Sequence, residues 1–398
     1  MPLRGYAPQV HKKPAFICVH LRQKFFNMLS ITHHKNIEYC TYCPKLCRFA
    51  CPVALAEGRE TVTPTERMRF LHLLRNGAAD WNDEIADIFY RCLGCLSCRA
   101  FCKHRIDVSE VMLEARRTAL DRKIEPVALK RLITNFSHFQ NPYGNMIFER
   151  VKNSGVASRV GRDSKIIYFI GCVTLYHFHE IINAVEKVLT AAGIDFTIHG
   201  GEAPLCCGLP ALLSGDVESF LRTARKNAGA LKKHSTILTT CPGCMVTLKN
   251  HYEKHGVKLN ADIIHFTQFT AGLVEKGRIK LKDKREEKVM YHDPCYLGKH
   301  LGIFEPPRLL LNEMFYPDRV IEFSWNRDKN MCCGGSGLLP VVAPQTSIDI
   351  SARRLREFKE QSPAILATAC PTCERAFARA DENIAVRDVA VLVAEQIG

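Results

Sequence analysis

The residues of this chain that can do chemistry are its cysteines, and ten of them between Cys172 and Cys373 form two copies of one pattern. The first copy reads Cys172, then Cys206-Cys207-Gly208, then Cys241-Pro-Gly-Cys244; the second reads Cys295, then Cys332-Cys333-Gly334, then Cys370-Pro-Thr-Cys373. In the first copy 33 residues separate Cys172 from Cys206 and again Cys207 from Cys241, and in the second both gaps are 36 residues. Each copy is therefore symmetric about its adjacent pair. Thiolates spaced in this way are metal ligands, and five per copy is one more than a cubane cluster takes. Adjacent cysteines do not easily occupy two corners of one regular cube, so the surplus points to an unusual cluster. Gly208, Gly334 and Gly335 follow the pairs, and without a Cβ they let backbone amides approach the cluster sulfurs.

Two denser runs lie upstream, Cys40-x2-Cys43-x3-Cys47-x3-Cys51 and Cys92-x2-Cys95-x2-Cys98-x3-Cys102. The second has ferredoxin spacing, in which three thiolates of a tight loop hold one cubane and the fourth crosses to the other. By that crossover rule Cys40, Cys43, Cys47 and Cys102 hold one 4Fe-4S cubane, and Cys92, Cys95, Cys98 and Cys51 hold the other. Zinc sites more often pair knuckles from distant segments, so iron–sulfur is the favoured reading here. The first run carries one extra residue between Cys43 and Cys47, and Lys103 stands where ferredoxins usually place proline. Cluster presence is therefore better specified than cluster type.

Nineteen cysteines in 398 residues could also mean disulfides, and the compartment decides. The apolar run Ala15–Leu21 is short, contains His20 and is followed by Arg22 and Lys24, which makes a poor signal peptide. Reduced thiolates in a cytoplasmic protein are expected, with peripheral attachment to the inner membrane face through a partner. The formal charge of +14 invites a nucleic-acid reading. That count leaves every thiol neutral, however, and four loaded clusters remove on the order of ten positive charges. The densest basic stretch, Lys276 to Lys288, also carries Asp283, Glu286 and Glu287, so no nucleic-acid partner is expected.

The elements that must position these thiols can be read in outline. Residues 1–35 read as a tail with an idle Cys18 and exposed His33 and His34. Between the two dense runs, Thr63-Pro64 starts a helix with Met68, Leu71 and Leu74 on one stripe, and Asn76-Gly77 stops it. Asn82 caps a second helix, and Asp107 or Ser109 starts a third, so residues 36–120 form a helical two-cluster domain. Residues 121–163, with Pro126 and Asn141-Pro142-Tyr143-Gly144, read as a surface connector. Then Lys165-Ile-Ile-Tyr-Phe-Ile leads to Cys172, and Lys288-Val-Met-Tyr-His-Asp leads to Cys295, each followed by a helix and a short strand. Cysteines thus sit where strands end, as ligand sites do in α/β domains. The overall class is α+β, with two α/β repeats, 164–278 and 279–398, related by a pseudo-twofold axis.

With these motifs in hand the chain resembles the heterodisulfide reductase D-type family of CCG-domain iron–sulfur oxidoreductases. Its relatives include iron–sulfur subunits of glycolate oxidase, lactate-utilisation and anaerobic glycerol-3-phosphate dehydrogenase systems. The likeness covers residues 36–398. It implies that each complete CCG copy holds a non-cubane 4Fe-4S cluster on all five cysteines; zinc or an empty relic in one copy is the competing reading. It also implies a redox partner, whether flavoprotein dehydrogenase, reductase or quinone-linked membrane subunit. The chain itself shows no flavin or nicotinamide fingerprint. Two functions follow from the resemblance: an electron-transfer subunit, which is favoured, or a thiol–disulfide reductase. His292, in Tyr291-His292-Asp293-Pro294 before Cys295, is a candidate cluster partner or proton donor, or else a structural histidine.

Overall fold

A computed structural model describes residues 31–145, 151, 156–200 and 204–398. Most of the expected N-terminal tail, with Cys18, lies outside the described residues. His33 is half-buried rather than exposed, and its Nδ1 lies 2.9 Å from Glu114 Oε1.

The N-terminal part is helical, and its caps are those the sequence predicts. Helices α1 (Ile31–Thr41), α2 (Pro64–Asn76), α3 (Asp83–Tyr90) and α4 (Val108–Asp121) surround the dense cysteine runs. Thr63, Asn82 and Asp107 each accept a first-turn backbone N–H, from Glu66, Ile85 and Glu110, and so satisfy donors a helix start leaves free. Buried Met68 and Leu71 of α2 pack with Phe89 of α3 and Val111 and Met112 of α4 into a small core of their own.

The stretch expected to be a surface connector departs from that reading. Residues Lys130–Phe139 form α5, which buries Leu132 and Phe136 in the largest core. Only two apolar positions of this one short helix face inward, too few for a periodic pattern to stand out among Pro126 and Pro142.

Two parallel four-stranded sheets follow. The first has strand order β2-β1-β3-β4, from β1 (Ile166–Tyr168), β2 (Thr197–Ile198), β3 (Thr236–Thr239) and β4 (Asp262–His265). The second repeats it as β6-β5-β7-β8, from β5 (Val289–His292), β6 (Val320–Glu322), β7 (Ile365–Thr368) and β8 (Val386–Asp388). Register agrees as well: Ile167 pairs with Ile237 in the first sheet, and Met290 with Leu366 in the second. The central strands are buried on both faces, which is why they read as unbroken apolar runs.

Packing between the halves is reciprocal. In the first half α6 (His179–Ala191) follows β1, α7 (Pro242–Val246) follows β3 and α8 (Phe266–Glu275) follows β4. Their counterparts are α9 (Glu305–Met314), α10 (Pro371–Ala380) and α11 (Val389–Gln396). Helix α6 packs on α11, and α9 on α8, so each half offers the same two elements to the other. That exchange is the mark of a twofold relation.

The helical part is tied to both repeats. Arg116 of α4, fully buried, donates to the carbonyls of Phe89, Tyr90 and Cys92 and to Leu213 of the first repeat. On the other side Gly337, at φ +67°, lies so close to Leu93 that a Cβ would stand 2.4 Å from its Cα. Only glycine fits there.

Candidate metal centres

Four groups of thiols emerge, each built by elements whose local sequence explains the placement. Cys40 sits in the last turn of α1, and Cys43 and Cys47 lie in the loop after it. Burial pushes the Cys40 thiol up to about 12, and the neighbours that add to the shift are Cys47, Cys102 and Cys43. These are the four residues assigned to one cubane by the crossover rule. Cys43, Cys47 and Cys102 are only half-buried, so this is the outer group.

Cys51, Cys92, Cys95 and Cys98 line a small cavity together with Arg67. Cys98 is held well above its ordinary range first by burial, then by Cys95 and Cys92, with Cys47 and Cys51 further down. The second predicted set is thus also assembled, behind the first. Arg67 is a residue of this cavity that the motif spacing does not reveal. It is 2% exposed, its Nη1 lies 3.7 Å from Cys51 Sγ, and its Nη2 has no hydrogen-bond partner. The signal in the sequence is a cation on the stripe of Leu71 and Leu74, where an apolar residue belongs.

In the repeats every cysteine follows the carboxyl end of a strand. Cys172 follows β1, Cys206-Cys207 follows β2, Cys241 follows β3, and Cys244 lies in the first turn of α7 behind Pro242 at its start. The second copy matches, with Cys295 after β5, Cys332-Cys333 after β6, and Cys370 and Cys373 around Pro371 of α10. The electrostatics match too. A hydrogen bond from Cys206 holds Cys207 well below the usual thiol range, and one from Cys332 does the same for Cys333. Cys333 Sγ and Cys373 Sγ are 3.2 Å apart.

The glycines after each pair place backbone amides beside the thiols. The amides of Gly208 and Gly334 lie 3.4 Å from the Sγ of Cys206 and Cys332, and that of Gly335 lies 3.4 Å from Cys333 Sγ. Gly334 has φ +87°, and a Cβ there would meet Ser347 O at 2.6 Å. His292, fully buried, has a ring nitrogen within 4.8 Å of the Cys333 and Cys373 sulfurs, and burial lowers its pKa. It packs edge-on against Phe323 and Phe377 and is not among the residues lining the cavity described below. It stands behind the thiols.

Two features join the groups. Cys95 of the inner group and Cys332 of the second repeat share one buried cluster, and the loop of Cys95 is held there by His300 Nε2 donating to Gly94 O at 2.8 Å and Ser97 Oγ donating to Asn330 O at 3.4 Å, so these two sites adjoin. The two repeats share one cavity of about 470 Å³, lined by Cys172, Cys207, Cys241 and Cys244 from one side and Cys295, Cys333, Cys370 and Cys373 from the other. Arg131, Tyr143, Arg375 and Arg379 also line it, the first two from the supposed connector. The donor set suits iron–sulfur groups: convergent buried thiols, amides aimed at sulfur and a buried guanidinium whose Nη2 has no hydrogen-bond partner.

Comparison with known proteins agrees with this class. A cysteine-rich CCG domain model matches residues 166–249 and 289–378, and a 4Fe-4S dicluster domain model matches residues 36–106. This is an iron–sulfur protein with a dicluster domain and two cysteine-rich repeats. The D-type subunit of the dihydromethanophenazine:CoB–CoM heterodisulfide reductase of Methanosarcina barkeri is 30% identical over 329 residues, covering 79% of this chain and 80% of that protein. Its counterpart from Methanosarcina acetivorans is 29% identical, covering 91% and 94%. A fumarate reductase (CoM/CoB) subunit of Methanothermobacter marburgensis is 27% identical, covering 90% and 71%. A crystal structure of a hypothetical protein from Helicobacter pylori shares the fold, with TM-score 0.57 at 11% identity, over 96% of this chain and 76% of that one. The chain belongs to the heterodisulfide reductase D-type family of CCG-domain iron–sulfur proteins. Among the described residues no helix is long and apolar enough to cross a membrane.

Proposed function

We propose that this chain is the iron–sulfur subunit of an oxidoreductase complex and carries four 4Fe-4S groups. Two are cubanes, on Cys40, Cys43, Cys47 and Cys102 and on Cys51, Cys92, Cys95 and Cys98. Two are non-cubane groups on the five cysteines of each repeat. Such groups supply one-electron transfer at a potential set by the surrounding protein. The chain's own residues set the order: outer group, inner group, second repeat, first repeat. The observation that carries this reading is the burial of Cys95 and Cys332 in one cluster, with His300 and Asn330 of the second repeat hydrogen-bonded to the loop of Cys95. A partner subunit, whether flavoprotein, reductase or quinone-linked, exchanges electrons at the half-buried outer group. The relatives' names, which cover more than one reductase, support a shared relay role.

The test is anaerobic purification. About sixteen iron atoms per chain are expected, and two or fewer with stoichiometric zinc would sink the proposal. In Cys98→Ala, rapid-freeze paramagnetic resonance should show the outer group reduced within the first turnover while the repeats remain oxidised.

A second reading has its own observation. Eight of the ten repeat cysteines line one cavity, a place for a disulfide between two one-electron donors. Cleavage there takes two electrons and two protons and releases two thiols. Turnover of a disulfide by the chemically reduced chain without its partner would favour this reading; no turnover favours the relay alone.

A further inference from the structure

Arg67 is a buried cation with no carboxylate partner among the described residues. It lies at the base of the inner group and is 2% exposed, yet among the described residues it makes no salt bridge. Its Nε donates to Ile88 O at 3.2 Å, Nη1 reaches Cys51 Sγ at 3.7 Å, and Nη2 donates to nothing. A guanidinium taken out of water without an anion is strongly disfavoured, so a negative charge belongs beside it. Lys299 supplies a second cation. Its Nζ lies 2.7 Å from Ser97 Oγ, which is itself 3.3 Å from Cys95 Sγ, and the nearest other acceptor is Asn330 O at 2.8 Å. No carboxylate pairs with Lys299 among the described residues either.

The outer group is arranged differently. Lys45 and Arg48, in its own loop, are both neutralised: Lys45 by Glu60 and Glu66, and Arg48 by Glu60. The cations of the inner group are thus without carboxylates while Lys45 and Arg48 of the outer loop are paired, and Lys103 and Arg105 after Cys102 are exposed to solvent that screens them. Fixed cations favour the more negative, reduced form of a nearby group and so raise its potential.

We propose that Arg67, seconded by Lys299, is the fixed counter-charge of the group on Cys51, Cys92, Cys95 and Cys98 and raises its reduction potential, drawing electrons inward from the outer group. This rests on the four-group reading above. In the step concerned the outer group loses one electron and the inner group gains it; no proton moves, because the charge compensation is already in place. Arg67 and Lys299 are positioning residues for that electron, not ligands.

The experiment is a potentiometric titration of the full-length, anaerobically purified chain, followed by paramagnetic resonance. The inner signal is identified by its loss in Cys98→Ser. At the wild-type midpoint, Arg67→Met should lower the reduced-to-oxidised ratio of the inner group at least tenfold, about 59 mV for a one-electron couple, while the outer signal holds. Arg67→Lys should restore most of the ratio. Lys299→Met should move it the same way by at least threefold. A wild-type chain lacking the dicluster iron would overturn the four-group reading. Loaded Arg67→Met and Lys299→Met proteins whose ratios stay within twofold of wild type, or whose outer signal shifts equally, would overturn this inference alone. If Arg67→Met fails to load, Lys299→Met decides by the same threshold.

Discussion

At the scale of single residues, the two repeats are not chemically equal. Where the first has Phe169-Ile170-Gly171 before its leading cysteine, the second has His292-Asp293-Pro294. Asp293 is buried and takes two hydrogen bonds from Arg308, at 2.8 and 2.7 Å, and Arg308 also reaches Glu322. Removing the carboxylate leaves Arg308 with Glu322 alone and the Arg327 N–H without its acceptor, so Asp293→Ala should cost about 2 kcal/mol. Urea unfolding measured anaerobically checks this, and the double variant Asp293→Ile with Arg308→Leu should recover part of the loss. The first repeat, with Ile170 in that place, shows that the strand end tolerates an apolar residue. Gly334→Ala makes a second test. Its Cβ would collide with Ser347 O at a positive φ, so the variant should lose about four irons and keep the dicluster signals.

At the scale of elements, α8 depends on an uncharged histidine. His265 at its N-cap accepts the Thr267 N–H at Nδ1 (3.3 Å), while Nε2 donates to Thr240 O at 3.1 Å. Both roles are filled only by the neutral ring, and burial lowers its pKa from 6.5 to about 4. The sign follows. The unfolded chain binds a proton as pH falls through 6.5 and the folded chain does not until about 4, so stability is lost across that window. The loss at the bottom of it is roughly 3 kcal/mol. His265→Asn keeps a capping acceptor without titrating there, and its urea midpoint should fall less than that of wild type between pH 6.5 and 4. An equal fall would contradict the assignment.

At the scale of the whole molecule, the dicluster domain is not a bead on a string. Arg116 holds the Cys92 loop and Leu213 of the first repeat at once, Tyr90 Oη donates to Ser214 O, and Ser336 Oγ donates to Leu93 O. Limited proteolysis of the loaded protein should therefore release no stable fragment near residues 36–120. Arg116→Met leaves several buried carbonyls without a donor and should cost about 3 kcal/mol, with early loss of the inner group's signal as the readout.

Much of the organisation was legible in the chain alone. Ligand spacing is a local property, and a strand that feeds a cysteine, or a Thr-Pro that opens a helix, is written in neighbouring residues. The two repeats, their matching succession of strands and cysteines along the chain, and the helical dicluster domain therefore follow from sequence; the order of strands within each sheet does not. Pairing across distance is another matter. That Cys95 and Cys332 share one buried cluster, that both repeats open onto one cavity, and that a stretch read as a surface connector supplies Tyr143 and Arg131 to its wall are consequences of packing between elements far apart in the chain. The same holds for charge: Arg67 and Lys45 are both cations beside cysteine loops in the sequence. Only the tertiary structure decides that one is paired with carboxylates and the other is not, because the glutamates and thiols they meet are brought to them by the fold.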